Sequence, residues 1–139
     1  MPIITKQYKF CAAHRYWNEE WPPEKNRDIF GDDIKIHGHN YLLDITISGP
    51  VNPDSGFIIN LKELNALVKA QIIEIFDHNQ IEKDISWFQD RQPSTENMVV
   101  FIWEQLIDKI ISPAQLYSVK LQETPTISTT YFGPNKIYD

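Results

Sequence analysis

"KIHGHNYLLDITISG", residues 35–49, is the stretch from which the rest of the fold can be read. From Tyr41 it alternates, with Leu43, Ile45 and Ile47 on one side, as a strand with one buried face does. His37 and His39 stand at its head, one residue apart, in a chain that holds only four histidines. On an extended backbone residues i and i+2 point the same way, so the two imidazoles can aim at one point. Gly38 keeps the backbone between them uncrowded.

Upstream, "TKQYKFCAAH" (5–14) reads as another strand, and it ends on His14. If it pairs beside 41–49, a third imidazole joins the first two. Three neutral imidazoles around zinc at about 2.0–2.1 Å leave a fourth position open, the pattern of a catalytic site. The plainer alternative is a solvated strand end with His14 an unrelated surface residue. The segment between the strands, "RYWNEEWPPEKNRDIFGDDIKI", has no steady period and contains Pro22-Pro23. It is expected to be a long loop, of a length that tends to carry function or to be disordered.

Downstream, "VNPDSG" (51–56) has turn composition. A helix follows, capped by Asn60 with Glu63 at the capping-box position and Leu61, Leu64, Val68, Ile72 and Ile75 in one stripe. A second starts near "PSTEN" (93–97), with Val99, Ile102, Trp103, Leu106 and Ile110 as its stripe and Pro113 as its stop. "LYSVKLQE" (116–123) and "ISTTYFG" (127–133) read as the third and fourth strands. The order is ββααββ: an α+β fold, an antiparallel sheet with two helices on one face.

Across all 139 residues, 42% hydrophobic and 23% charged content is that of one ordinary globular domain, 1–139. No apolar run approaches the roughly 18 residues of a membrane span, and the N-terminus lacks a signal peptide's apolar stretch, so a cytoplasmic protein is expected. The single cysteine, Cys11, excludes an intrachain disulfide and a cysteine-based zinc site. A net charge of −6 argues against a nucleic-acid partner, though a small anionic substrate needs only a few local cations.

Two further features bear on chemistry. In "FDHN", Asp77 precedes His78 at the end of the first helix, where a carboxylate can tune an imidazole as acid or base, or simply finish a helix. Glu123 shares strand parity with Tyr117, Val119 and Leu121, so it should point inward, where an unpartnered carboxylate costs several kcal/mol. It could accept two N–H bonds from an amidine-like ligand edge, or reach water at the strand end.

Together "FCAAHR" (10–15), "HGHNY" (37–41), "SGFIINLKEL" (55–64), "FDHNQI" (76–81), "STENMVVFIW" (94–103) and "KLQET" (120–124) resemble the 6-pyruvoyl- and 6-carboxy-tetrahydropterin synthase family over almost the whole chain. The resemblance implies a tunnelling fold, with subunits joined as homotrimers or homohexamers and pockets between them. It implies zinc on His14, His37 and His39, a proton-transfer pair in Asp77 and His78, a pterin anchor in Glu123, and a pocket lined by Ser94 and Thr95. The implied activity is that of a lyase acting on 7,8-dihydroneopterin triphosphate. Zinc there binds the side-chain hydroxyls and eases removal of neighbouring protons.

One position departs. The family base is a cysteine in C-x-x-x-H-G-H or F-G-x-C, and both anchors land here on Asp33. On a regular strand Cys11 points away from His14 and reads as a small packing residue. A free thiol titrates near 8.5 and a free aspartate near 3.9, so a carboxylate is fully ionised at neutral pH but a weaker base. Asp33 could serve as that weaker base. It could also support side-chain cleavage to a 6-hydroxymethyl pterin, as in members with a glutamate in this region. It could close the metal as an extra ligand, or lie in a solvated loop of a non-catalytic pterin-binding paralogue. The short spacing before the histidines resembles the carboxy type, which gives 6-carboxy-5,6,7,8-tetrahydropterin for queuosine. "NRDIFG" (26–31) resembles the pyruvoyl type instead. The carboxy product is the expectation. Arg15, Lys25, Arg27 and Lys35 could meet the triphosphate or be ordinary surface cations.

Overall fold

The structure, a computed structural model, describes residues 1–136. Its frame is a sheet in the order β3-β1-β2-β4-β5. β1 (Ile3–His14) and β2 (His37–Ser48) pair antiparallel in unbroken register from Ile3↔Ser48 to His14↔His37. β4 (Gln115–Thr124) adds to β2, and β5 (Ile127–Tyr131) adds to β4, both antiparallel. The alternation has its expected consequence: Phe10, Ala12, Tyr41, Leu43, Ile45, Ile47, Val119 and Leu121 all bury on the face that carries the helices.

The first long helix begins as α2 (Leu61–Val68), with the Asn60 side chain accepting from the Lys62 N–H. It widens through a π turn, Lys69–Ile73, and closes as α3 (Glu74–Phe76). Leu64, Val68, Ile72 and Phe76 are buried along it, while Leu61 is left exposed. The last helix, α5 (Thr95–Leu106), is capped by Ser94, whose hydroxyl accepts from the Asn97 N–H. Met98, Val99, Ile102 and Leu106 press onto the sheet in the same buried cluster.

Four expectations change. The segment 15–36 is not an irregular loop. Pro23 occupies the first turn of α1 (Pro23–Phe30), where a missing N–H is harmless, and a 3-10 turn, Gly31–Ile34, follows. Gly31 makes that junction at φ 60. The sheet is not wholly antiparallel, because β3 (Asn79–Gln80) runs parallel to β1 at Ala12 and Ala13 before the short α4 (Ile81–Asp84). α5 stops at Leu106, well before Pro113, in a turn where the Lys109 N–H donates to the Leu106 carbonyl. Ile110 therefore packs from outside the helix. In β4 the register against β2 shifts between Thr46 and Ile47, so Leu116 is buried and Tyr117 is exposed. The parity drawn from Tyr117 fails across that bulge and holds from Val119 to Leu121; a second shift, against β5, falls at Glu123.

Candidate metal centre

The β1–β2 register sets His14 opposite His37, and Ala12 opposite His39. His14 faces inward with Phe10 and Ala12, while His37 and His39 share the inward side of β2 with Tyr41. The three rings come together, with centroids 4.6 Å (His14–His37), 5.1 Å (His14–His39) and 5.1 Å (His37–His39) apart. One nitrogen from each lies within 4.8 Å of the others.

Whether these residues suit a metal can be tested on their hydrogen bonds. The Nδ1 of His14 lies 2.7 Å from the Pro93 carbonyl, and that of His37 lies 2.8 Å from the Lys35 carbonyl. A carbonyl only accepts, so both Nδ1 atoms donate, and in the neutral ring the lone pair is on Nε2. The Nε2 atoms of His14 and His39 are buried with no hydrogen-bond partner. Burial first, then the neighbouring histidines, lowers the His14 pKa to about 4, against the pull of the Pro93 carbonyl. Burial lowers that of His39 as well. Neutral imidazoles with oriented, unpartnered lone pairs are the ligand set that zinc takes. The residues fit.

Two carboxylates reach this cluster. Glu123 Oε1, at the end of β4, lies 3.5 Å from His39 Nε2, both side chains being largely buried. Asp33 Oδ1, on the 3-10 turn, lies 3.7 Å from His37 Nε2 and is 60% exposed. The Tyr16 N–H donates to the Asp33 carbonyl at 2.9 Å and fastens that turn to the end of β1.

The Tyr16 ring packs at 5.0 Å from His14 and 5.4 Å from Phe30. Burial, then the charges of Glu123, Glu96 and Asp33, holds its hydroxyl well above the usual tyrosine range. Tyr16 and Glu96 are site residues that the sequence reading passed over. Glu96 follows Thr95 in the "STEN" stretch and was within its reach. Tyr16 had only its place two residues after His14 as a signal.

Ser94 and Thr95 follow Pro93 directly. The Ser94 hydroxyl is the α5 cap, and the Thr95 hydroxyl is bonded to Thr129 Oγ1 (2.8 Å) and Glu96 Oε1 (2.9 Å). Asp77 and His78 are not among the donor atoms that converge in the histidine cluster. Asp77 Oδ2 is 2.8 Å from His78 Nδ1, and Asp77 Oδ1 accepts the Cys11 N–H at 2.8 Å. That backbone bond, with the bonded His78, draws the Asp77 carboxyl below its usual range. The His78 side chain is 81% exposed and sits at φ 63, beside a cleft of about 570 Å³ that Cys11, Gly38, His39 and Asn40 also line.

Cys11 is exposed on the helix-free face, its thiol donating to Asn40 Oδ1 at 2.8 Å. The unbroken β1 register leaves no bulge to turn it toward His14. Of the candidate cations, Lys25 lies over the Trp21 ring and Arg15 over Trp17. Arg15 also borders the larger cleft, about 750 Å³, together with Glu82, Arg91 and Gln92.

The family model for 6-pyruvoyl tetrahydropterin synthase matches residues 3–134. The chain belongs to this family. It is 33% identical to the 6-pyruvoyl tetrahydrobiopterin synthase of Drosophila melanogaster, over 99% of this chain and 84% of that one. To the 6-carboxy-5,6,7,8-tetrahydropterin synthase of Bacillus subtilis it is 29% identical, over 76% and 73%. The solved Caenorhabditis elegans 6-pyruvoyl tetrahydropterin synthase superposes with a TM-score of 0.87 at 32% identity, covering 96% and 98% of the two chains. A Plasmodium vivax 6-pyruvoyltetrahydropterin synthase, altered from glutamate to alanine at its catalytic residue, shares the fold at a TM-score of 0.62 and 18% identity, covering 94% and 98%. This family member thus has the family's tunnelling fold. Among its described residues no helix is long and apolar enough to cross a membrane.

Proposed function

We propose that the protein is a zinc-dependent lyase of pterin biosynthesis that converts 7,8-dihydroneopterin triphosphate to 6-pyruvoyl-tetrahydropterin in the cytoplasm. The observation that carries the reading is the convergence of three imidazoles, two with Nε2 left bare by a backbone carbonyl, beside Glu123. Pyruvoyl chemistry is preferred over the carboxy product because relatives named for it match more of the chain at higher identity.

The roles follow from chemistry. Glu123, half-sunk at the strand end, anchors the pterin's N–H edge, a pairing that offsets the cost of burying its charge. Zinc on His14, His37 and His39 would polarise the substrate's side-chain oxygens and acidify the adjacent C–H bonds. Asp33 stands where the family places a thiol and takes the proton. Asp77 orients His78 and stabilises its charged form as it passes a proton. Because His78 faces solvent, it serves a pocket completed by a neighbouring subunit of a homotrimer or homohexamer, and Ser94 and Thr95 support the pocket wall.

The test is to incubate the zinc-loaded protein with 7,8-dihydroneopterin triphosphate and follow products by mass spectrometry. Release of triphosphate with a 6-pyruvoyl product is expected, and Asp33→Asn should abolish it. Unchanged substrate at high enzyme concentration, with zinc verified as bound, overturns the reading. Turnover gained only in Asp33→Cys would instead mark a pterin-binding paralogue, the reading that the missing thiol favours.

A further inference from the structure

We propose that Tyr16 is a further substrate-binding residue, its hydroxyl donating to the ring carbonyl of a pterin held by Glu123; this rests on the pterin reading above. The Tyr16 ring is held from two sides. It packs at 5.0 Å from the His14 ring, tilted by 53°, and stacks at 5.4 Å on Phe30, which stacks in turn on Trp21. Its backbone is fixed as well, by the bond from the Tyr16 N–H to the Asp33 carbonyl. A half-buried ring so confined has its hydroxyl placed in advance, and a ligand that meets it loses little to ordering. Yet that hydroxyl takes part in no hydrogen bond among the described residues.

The groups around it are acceptors. Tyr16 packs on His14, whose ring stands 5.1 Å from that of His39, and His39 Nε2 lies 3.5 Å from Glu123 Oε1. The charges that bear on the hydroxyl are those of Glu123 first, then Glu96 and Asp33. Three carboxylates make this wall rich in acceptors, and an O–H is the donor that complements them. A pterin has the matching pattern. Its exocyclic amino group and the adjacent ring N–H form one donating edge, and the ring carbonyl follows directly beside that N–H. With the donating edge on Glu123, the carbonyl oxygen comes to the flank of the same carboxylate, where it needs a donor or is buried unpaired. Arg15, the neighbouring cation, is turned to Trp17 and the larger cleft. Tyr16 supplies the donor, so Glu123 reads the N–H edge and Tyr16 the oxygen next to it.

The experiment measures binding rather than turnover. Neopterin and unsubstituted pterin, which share the ring and differ in the side chain, are titrated by fluorescence against wild type, Tyr16→Phe and Glu123→Gln. Tyr16→Phe keeps the ring on His14 and Phe30, so zinc content and urea midpoint should stay at wild-type values. Both probes should bind more weakly by the same factor, about three- to tenfold, the range of one neutral hydrogen bond. Unchanged affinity for both in Tyr16→Phe, with Glu123→Gln losing them, overturns the Tyr16 role and leaves the Glu123 anchor standing. A loss confined to neopterin puts the hydroxyl on the side chain and overturns the carbonyl assignment. A fall in zinc or midpoint that tracks the fall in affinity makes Tyr16 a packing residue and overturns it as well. Failure of wild type to bind either probe overturns this role together with the pterin reading beneath it.

Discussion

His14 and Pro93 are joined by a 2.7 Å hydrogen bond that spans 79 residues of sequence, from the end of β1 to the residue before the α5 cap. The bond fixes the ring so that its Nε2 faces His37 and His39, and it gives a buried carbonyl its donor. His14→Ala should therefore fail twice, losing stoichiometric zinc and destabilising the metal-free protein by about 1–3 kcal/mol through the unsatisfied carbonyl. His37→Ala removes a more exposed ring, so it should lose the metal with a smaller loss of stability. Elemental analysis with urea unfolding of the stripped proteins checks both. Full zinc in His14→Ala would refute the assignment.

Acid should unfold the metal-free protein through the same residue. The His14 pKa is near 6.5 unfolded and is lowered to about 4 in the fold, so between those values the unfolded chain binds more protons. Its contribution is complete above about pH 6.5, declines as pH falls, and is gone below about pH 4. The total is on the order of a few kcal/mol. Urea midpoints measured on stripped protein from pH 7.5 to 4 should fall across this window, and His14→Gln should flatten the decline. A wild-type curve level from pH 7 to 4.5 would contradict it.

Asn26 governs the segment that presents Asp33. It is fully buried in α1, its Oδ1 accepting the Asn18 N–H at 2.7 Å and its Nδ2 lying 3.0–3.3 Å from the carbonyls of Asn18, Trp21 and Pro22. Asn26→Ala leaves these groups buried without their partner and should destabilise the fold by about 2–3 kcal/mol. Limited proteolysis should cut between residues 15 and 36 faster than in wild type. An unchanged midpoint and cleavage pattern would show that the stack of Tyr16, Phe30 and Trp21 suffices alone.

Strand alternation made the centre of the molecule readable in advance. Phe10, Tyr41, Leu43 and Ile45 obey a period of two, and that period alone aligns His37 with His39. The Asn60 cap was legible for a similar reason, since a short polar side chain before an apolar stripe answers a local need of the backbone. The failures have a different origin. Pro22-Pro23 reads as a break because proline forbids a helix interior, but in a first turn it starts one. The Tyr117 bulge and the two-residue β3 depend on partners distant in sequence, and no local period encodes them. Asp33 was found by counting from two motifs; its approach to His37 depends on the bond to Tyr16, which only the folded chain shows.

Asp77 tests whether the proton-transfer pair and the metal centre are separate devices. One carboxylate oxygen takes the Cys11 N–H and the other the His78 ring, which ties an exposed imidazole to the edge of β1. Asp77→Asn keeps the shape but removes the charge that favours the protonated ring. Its amide oxygen can replace only one of the two interactions. The proton-transfer step should slow by about 10²–10³-fold, within the range positioned acids and bases contribute. Zinc content should stay at the wild-type level, because none of the three histidine rings bonds to Asp77. Steady-state kinetics from pH 5 to 9, with metal analysis of the same samples, reads both quantities. If Asp77→Asn sheds zinc in proportion to activity, the two sites are one and the proposed division of labour fails.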